Sequence, residues 1–124
     1  MSATDKPKVP PAFPLSRFRV HGDTVYVSGQ VPVRNGEVVS DNFEEQVRQT
    51  LDNLRAVLTE AGSSLDQVMK CNCYLRREAD VAEFNRIYRE FFGSGPLPAR
   101  TTLIADPPNP RVLVEIEATA AVKA

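Results

Sequence analysis

Two short segments near the C-terminus carry side chains that can act on a small molecule. Pro98-Ala99-Arg100-Thr101-Thr102 supplies a fixed cation, and Val112-Leu113-Val114-Glu115-Ile116-Glu117-Ala118 supplies carboxylates. A guanidinium holds a substrate carboxylate through two parallel hydrogen bonds. A carboxyl group nearby moves a proton or activates a water. Between them lies Asp106-Pro107-Pro108-Asn109-Pro110, whose prolines forbid strand or helix. Antiparallel pairing across this break sets Ala105 near Val112, Thr102 opposite Glu115 and Arg100 opposite Glu117. That register puts Arg100, Thr102 and Glu115 on one face, with Arg100 diagonal to Glu115. The same pattern also suits an exposed cross-strand ion pair of little energetic weight. Two details favour a site. Arg100 follows a Pro-Ala turn at the start of a rigid element, and Ile104 and Leu113 make its face partly apolar, as a surface covered by a second subunit would be.

Positioning these residues requires a scaffold, and the hydrophobic spacing supplies one. Arg17-Phe18-Arg19-Val20, a turn at His21-Gly22-Asp23 and Thr24-Val25-Tyr26-Val27-Ser28 read as a hairpin, with Gly29 ending its second strand. A turn at Asn35-Gly36 follows. Asp41 or Asn42 caps a helix with Glu44 and Glu45 in its first turn. Phe43, Val47, Leu51, Leu54, Leu58 and Ala61 recur at helical spacing up to a stop at Gly62. Val68–Leu75 reads as a mostly buried strand. Asp80 opens a second helix with Phe84, Ile87, Tyr88 and Phe91 on one face. Thr101–Ala105 and Val112–Val122 are the last strands. The order β-β-(β)-α-β-α-β-β predicts an α+β fold, a mixed sheet with two helices on one face. Residues 1–13, with Lys6, Lys8 and several prolines, read as a flexible arm, and 14–124 as a single domain.

Composition removes several function classes. The chain has 15 basic and 16 acidic residues, a net charge of -1, and the basic ones are scattered. A nucleic-acid binder shows a basic face or stripe. No apolar run approaches the ~18 residues of a membrane span, and no apolar signal-peptide core opens the sequence. The expectation is a cytoplasmic protein. Cys71-Asn72-Cys73 has a spacing seen in metal or redox sites, but only His21 is available to join the pair, and structural zinc takes four ligands. On a strand both thiols face one way, as small buried apolar residues do. His21 reads as a surface turn residue, Ser28-Gly29 as either a turn or a ligand contact, and Asn85 as a weak mid-helix signal.

Taken together, the motifs resemble a known family. Val25-Tyr26-Val27-Ser28-Gly29-Gln30-Val31-Pro32, Glu45-Gln46-Val47-Arg48-Gln49-Thr50-Leu51-Asp52-Asn53-Leu54, Phe84-Asn85-Arg86-Ile87-Tyr88, Pro98-Ala99-Arg100 and Val114-Glu115-Ile116-Glu117-Ala118 are similar, in this order, to the Rid (YjgF) family over about residues 14 to 122. The resemblance implies a chorismate-mutase-like (bacillus-type) α+β fold assembled as a homotrimer with ligand clefts between subunits. It implies a 2-iminobutanoate/2-iminopropanoate deaminase-like hydrolase that converts reactive enamines and imines to 2-oxo acids and ammonia. That activity needs no metal and no organic cofactor, and the implied partners are a small carboxylate substrate and further copies of the chain, with no nucleic acid and no membrane. By the same resemblance Arg100 binds the substrate carboxylate, Glu115 positions and activates water, and Ser28, Thr102 and Asn85 line the pocket. The family's Gly-Pro-Tyr-Ser pattern reads Phe13-Pro14-Leu15-Ser16 here. Leu15 cannot supply the ligand-contacting phenol. This leaves three readings: the usual small 2-imino acids, a longer or dicarboxylic unsaturated amine of the aminomuconate type with Arg17 as a second cation, or a 2-oxo acid sensor without catalysis.

Overall fold

Val25 and Val27 on one strand, and Val114, Ile116, Ala118 and Ala120 on another, alternate with polar or exposed residues. This period of two sends one side of each strand inward. The computed structural model describes residues 13–123, and in it these strands form the middle of a mixed five-stranded sheet. The elements are β1 (Phe18–His21), β2 (Thr24–Gln30), β3 (Val33–Arg34), β4 (Glu37–Val38), α1 (Phe43–Glu60), β5 (Val68–Leu75), α2 (Val81–Phe92), β6 (Ala99–Ile104) and β7 (Val114–Ala121). The sheet order is β1-β2-β7-β5-β6, and β3-β4 make a separate ribbon. Most of the arm expected at residues 1–13 lies outside the described residues. Among the described residues no helix is long and apolar enough to cross a membrane.

The expected α+β class, a mixed sheet with both helices on one face, is the fold observed. α1 begins at Asn42, whose side-chain oxygen accepts from the Glu45 amide at 2.9 Å. Its Val47, Leu51, Leu54 and Leu58 meet Phe84 and Ile87 of α2 over the inward side chains of β2, β5 and β7. Each buried leucine of this kind contributes roughly 1.5–3 kcal/mol. Cys71 and Cys73 are free thiols fully buried in that layer, as the core reading of the pair expected.

One expectation is overturned. β6 and β7 do not pair across the proline segment. β6 runs parallel to β5, with Arg100 beside Cys71 and Thr102 beside Cys73. β7 pairs antiparallel with β5 on its other side, with Ala118 beside Cys71 and Glu115 beside Tyr74. The cause is the crossover: α2 packs on the sheet and returns the chain parallel to β5, as strand–helix–strand units do. β7 then takes the central slot. Residues 105–113 pass across the end of β5 instead of turning tightly, and their prolines suit a segment that must donate few hydrogen bonds.

Candidate active site

Arg100 lies at the second position of β6, a strand at the edge of the sheet. It faces the helix layer. Its guanidinium carbon is 4.8 Å from the Tyr88 ring centre and 5.4 Å from that of Phe84, and its Nη2 donates to Asn85 Oδ1 at 2.6 Å. The three partners come from one stretch of α2, so one helix fixes the cation's direction. Cation–π contact and a side-chain amide hold it without neutralising it. Thr102, two residues along the same face, has a buried hydroxyl with no hydrogen-bond partner, and so does Tyr88. Burial pushes the Tyr88 phenol well up and the Cys73 thiol up to about 12. Neither is a nucleophile near neutrality.

Glu115 is on the opposite, open face. Val114 and Ile116 on either side of it are fully buried among the helices, and Glu115 itself is half-buried. One carboxylate oxygen presses on the backbone of Gly29, where an added Cβ would come within 2.1 Å of it. Gly29 lies in an irregularity between Val27 and Gln30 where the β2–β7 register shifts. A strand glycine at a bulge allows such close approach. The strand therefore continues through Gly29 to Gln30, where the sequence suggested an end. Burial, and then the neighbouring Glu117 charge, push the Glu115 carboxyl above its ordinary value. Glu117 shares the face, and its Oε2 accepts from Asn72 Nδ2 at 3.0 Å.

Two hollows border this pair. An open groove of about 670 Å³ runs past Leu15, Ser16, Phe18, Arg19, Tyr26, Ser28 and Glu117. A smaller one of about 230 Å³ lies between Glu115, Glu117, Tyr74 and the chain from Ala105 to Pro108. Arg76 fastens that chain: its Nε donates to the Val112 carbonyl at 2.9 Å, and its Nη2 donates to the Pro107 and Asn109 carbonyls at 2.8 and 3.0 Å. On the groove side, the Ser28 hydroxyl donates to the Ser16 carbonyl at 2.5 Å, which ties down the segment that presents Leu15. Leu15 is 49% exposed. Arg17 is held by Glu60 at 2.5 Å, so its charge is already matched.

The sequence-derived residues thus fall into two groups. Arg100, Thr102 and Asn85 gather at the α2 face, while Glu115, Ser28 and Leu15 gather on the open face. Two strand steps and three residues separate Arg100 from Glu115, roughly 14 Å between Cα positions, with the sheet itself between the side chains. Gly29, Glu117, Asn72 and Arg76 belong to the surroundings of Glu115, yet the sequence reading did not select them. A signal existed for Gly29 in a glycine inside an apolar β run. For Asn72 and Arg76 none existed, because their partners are 45 and 36 residues away.

Comparison with known proteins places this architecture. The family described as endoribonuclease L-PSP matches residues 6–122. A 2-iminobutanoate/2-iminopropanoate deaminase of Dermatophagoides farinae is 37% identical, covering 85% of this chain and 84% of that protein. A Yersinia pestis structure from the conserved Rid protein family superposes with a TM-score of 0.85 at 34% identity, over 93% of this chain and 94% of that one. The structure of E. coli TdcF with bound serine gives a TM-score of 0.85 at 29% identity, over 95% and 94% of the two chains. The chain belongs to the Rid (YjgF) family.

Proposed function

We propose that this protein is a hydrolase that deaminates reactive imines and enamines to 2-oxo acids and ammonia, in clefts shared between copies of a homotrimer. The observation that carries the reading is the division of the site. An un-neutralised arginine lies at an open sheet edge, and a carboxyl whose proton affinity is raised by burial lies beside a hollow on the other face. A three- or four-carbon substrate cannot span both within one copy. Arg100 of one copy and Glu115 of its neighbour can meet on it where the edge of one sheet abuts the open face of the next. The unpartnered Thr102 hydroxyl supports a ligand at the Arg100 side, since buried polar atoms ordinarily find partners. The named deaminase among the relatives supports the chemistry, and the serine-bound relative supports a ligand bearing a carboxylate.

The chemistry demands little beyond placement. Arg100 holds the substrate carboxylate and turns an encounter into a positioned reaction. Glu115 takes a proton from water as oxygen adds to the imine carbon. The carboxyl returns that proton to nitrogen to give a carbinolamine; it then relays the hydroxyl proton to the amine as the C–N bond breaks and the carbonyl forms, and ammonia leaves. One water is consumed and no electrons are transferred. An enamine first takes a proton on carbon. The groove is lined by Leu15 and Phe18 but also by Ser16, Arg19, Ser28 and Glu117, and Arg17 is engaged by Glu60, so the reading gives Arg17 no free charge for a second substrate carboxylate. In this reading the protein works in the cytoplasm.

The word endoribonuclease in the family's description draws no support from the surface. Among the described residues Arg48, Arg55, Arg76, Arg77, Arg86 and Arg111 are each ion-paired, which reduces the free positive charge open to a phosphate backbone. The reading with a specific observation in its favour is a carboxylate sensor, because Leu15 brings no hydroxyl into the groove. Ammonia release from imines generated in situ separates the two. Wild type should accelerate it, and Glu115→Gln should bind 2-oxo acids yet lose turnover. Binding with no acceleration by the wild type would make the protein a sensor.

A further inference from the structure

We propose that Glu117, held in place by Asn72, is a positioning residue that sets the proton affinity of Glu115 and thereby the pH range of the reaction. The inference extends the hydrolase reading above and rests on it for its kinetic part only.

Glu115 and Glu117 are two residues apart on β7 and project from the same face, roughly 7 Å apart along the strand. Neither can turn away. Glu115 lies against Gly29, and Glu117 is fixed by the Asn72 amide on the adjacent strand. Asn72 is the telling residue. It donates a hydrogen bond but carries no charge, so it orients the Glu117 carboxylate and leaves its field intact. A lysine or arginine there would hold Glu117 equally well and cancel its effect. The other groups around the pair do not compensate. From β5 comes Tyr74, from just beyond its end comes Arg76, and from the proline segment comes Asp106; the Arg76 charge is matched by Asp106 at 3.3 Å. Arg19 and Tyr26 flank Glu117 in the larger groove, with Arg19 on β1, two strand steps away. Arg100 is behind the sheet. A nearby anion disfavours ionisation of a carboxyl, and the upward displacement of Glu115 comes first from burial and then from the Glu117 charge. A group that must take a proton from water and then give it to nitrogen works best when its proton affinity is close to the working pH. On its own strand Glu115 has one neighbour that moves it that way.

The test is the titration of Glu115, followed by carboxyl-carbon NMR of protein labelled at glutamate and assigned with Glu115→Gln. Glu117→Gln should lower the Glu115 midpoint by roughly 0.5–1 pH unit, and Glu117→Asp should lower it less. Asn72→Lys, which keeps both carboxylates and sets a positive charge against Glu117, should also lower it. The acid limb of kcat/KM for imine hydrolysis should move down with the midpoint. A Glu115 midpoint unmoved in both Glu117→Gln and Asn72→Lys overturns the proposal, as does a moved midpoint with an unmoved acid limb. If the midpoint shifts but the wild type hydrolyses no imine, the coupling stands and the hydrolase reading fails, so the two failures are distinguishable.

Discussion

Arg100 and Glu115 lie on opposite faces of one sheet, with β5 between their strands. In a shared-cleft trimer, each cleft takes its arginine from one copy and its carboxylate from the next. Arg100→Ala and Glu115→Gln should each be inactive alone. Unfolded together and reassembled at equal amounts, they should recover about a quarter of wild-type turnover, because half the positions supply an intact arginine and half an intact carboxylate. Analytical ultracentrifugation would check the assembly. Absence of any recovery in a verified mixed trimer would eliminate the shared site.

Gly29 is expected to tolerate no side chain. In Gly29→Ala the new methyl would meet the Glu115 carboxylate at 2.1 Å. The carboxylate must swing away, so kcat should fall by about 10- to 100-fold, in line with the cost of misplacing a reacting group. KM for the carboxylate substrate, which the proposed mechanism assigns to Arg100, should change little. A variant with unaltered kcat would show that Glu115 needs no such seating.

The raised proton affinity of Glu115 also has a thermodynamic side. Its folded-state midpoint lies above the unfolded one, so the native state binds more protons in that window and stability falls as pH rises through it. Full stability from this group is present below the unfolded value near 4.5. Glu115→Gln should therefore melt about 1–4 °C higher than wild type at pH 7, and the difference should vanish near pH 4. Thermal melts across pH 4–8 would decide. A variant less stable than wild type at pH 7 contradicts the account.

Arg76 donates to the Val112 and Pro107 carbonyls and shares the Asn109 carbonyl with the Val112 amide. Arg76→Gln leaves most of them unpaired and should cost about 1–3 kcal/mol in denaturant unfolding. It should also loosen the wall of the hollow beside Glu115 and lower turnover. Arg76→Lys supplies one point charge in place of a fork and should rescue only part of the stability.

How much could be read from the chain alone follows from where each signal originates. The helices were legible because Val47, Leu51, Leu54 and Leu58 repeat at 3.6 residues and Asn42 supplies a cap. The alternation in β7 was legible, and with it the correct face for Glu115. The neighbour of β6 was not, because pairing depends on where α2 delivers the chain, which no local period records. That error placed Arg100 beside Glu115 in one copy when the sheet divides them. Thr102 and Asn85 do gather at Arg100, since Thr102 shares its face of β6 and Asn85 lies on α2, which packs against that face. Arg17 drew attention by its charge, and only the tertiary structure reveals Glu60 against it.

β7 carries two messages at once. Its even-numbered residues from Val114 to Ala120 build the core, and its odd-numbered Glu115 and Glu117 face the hollows. Deleting or inserting one residue within this strand would exchange the two sets, placing carboxylates among leucines and valines in the groove. Length changes in the strand are thus doubly lethal, while the connection that precedes it can vary wherever Arg76 does not grip. Sequence drift in this protein should therefore preserve the spacing of β7 more strictly than the identity of most of its residues.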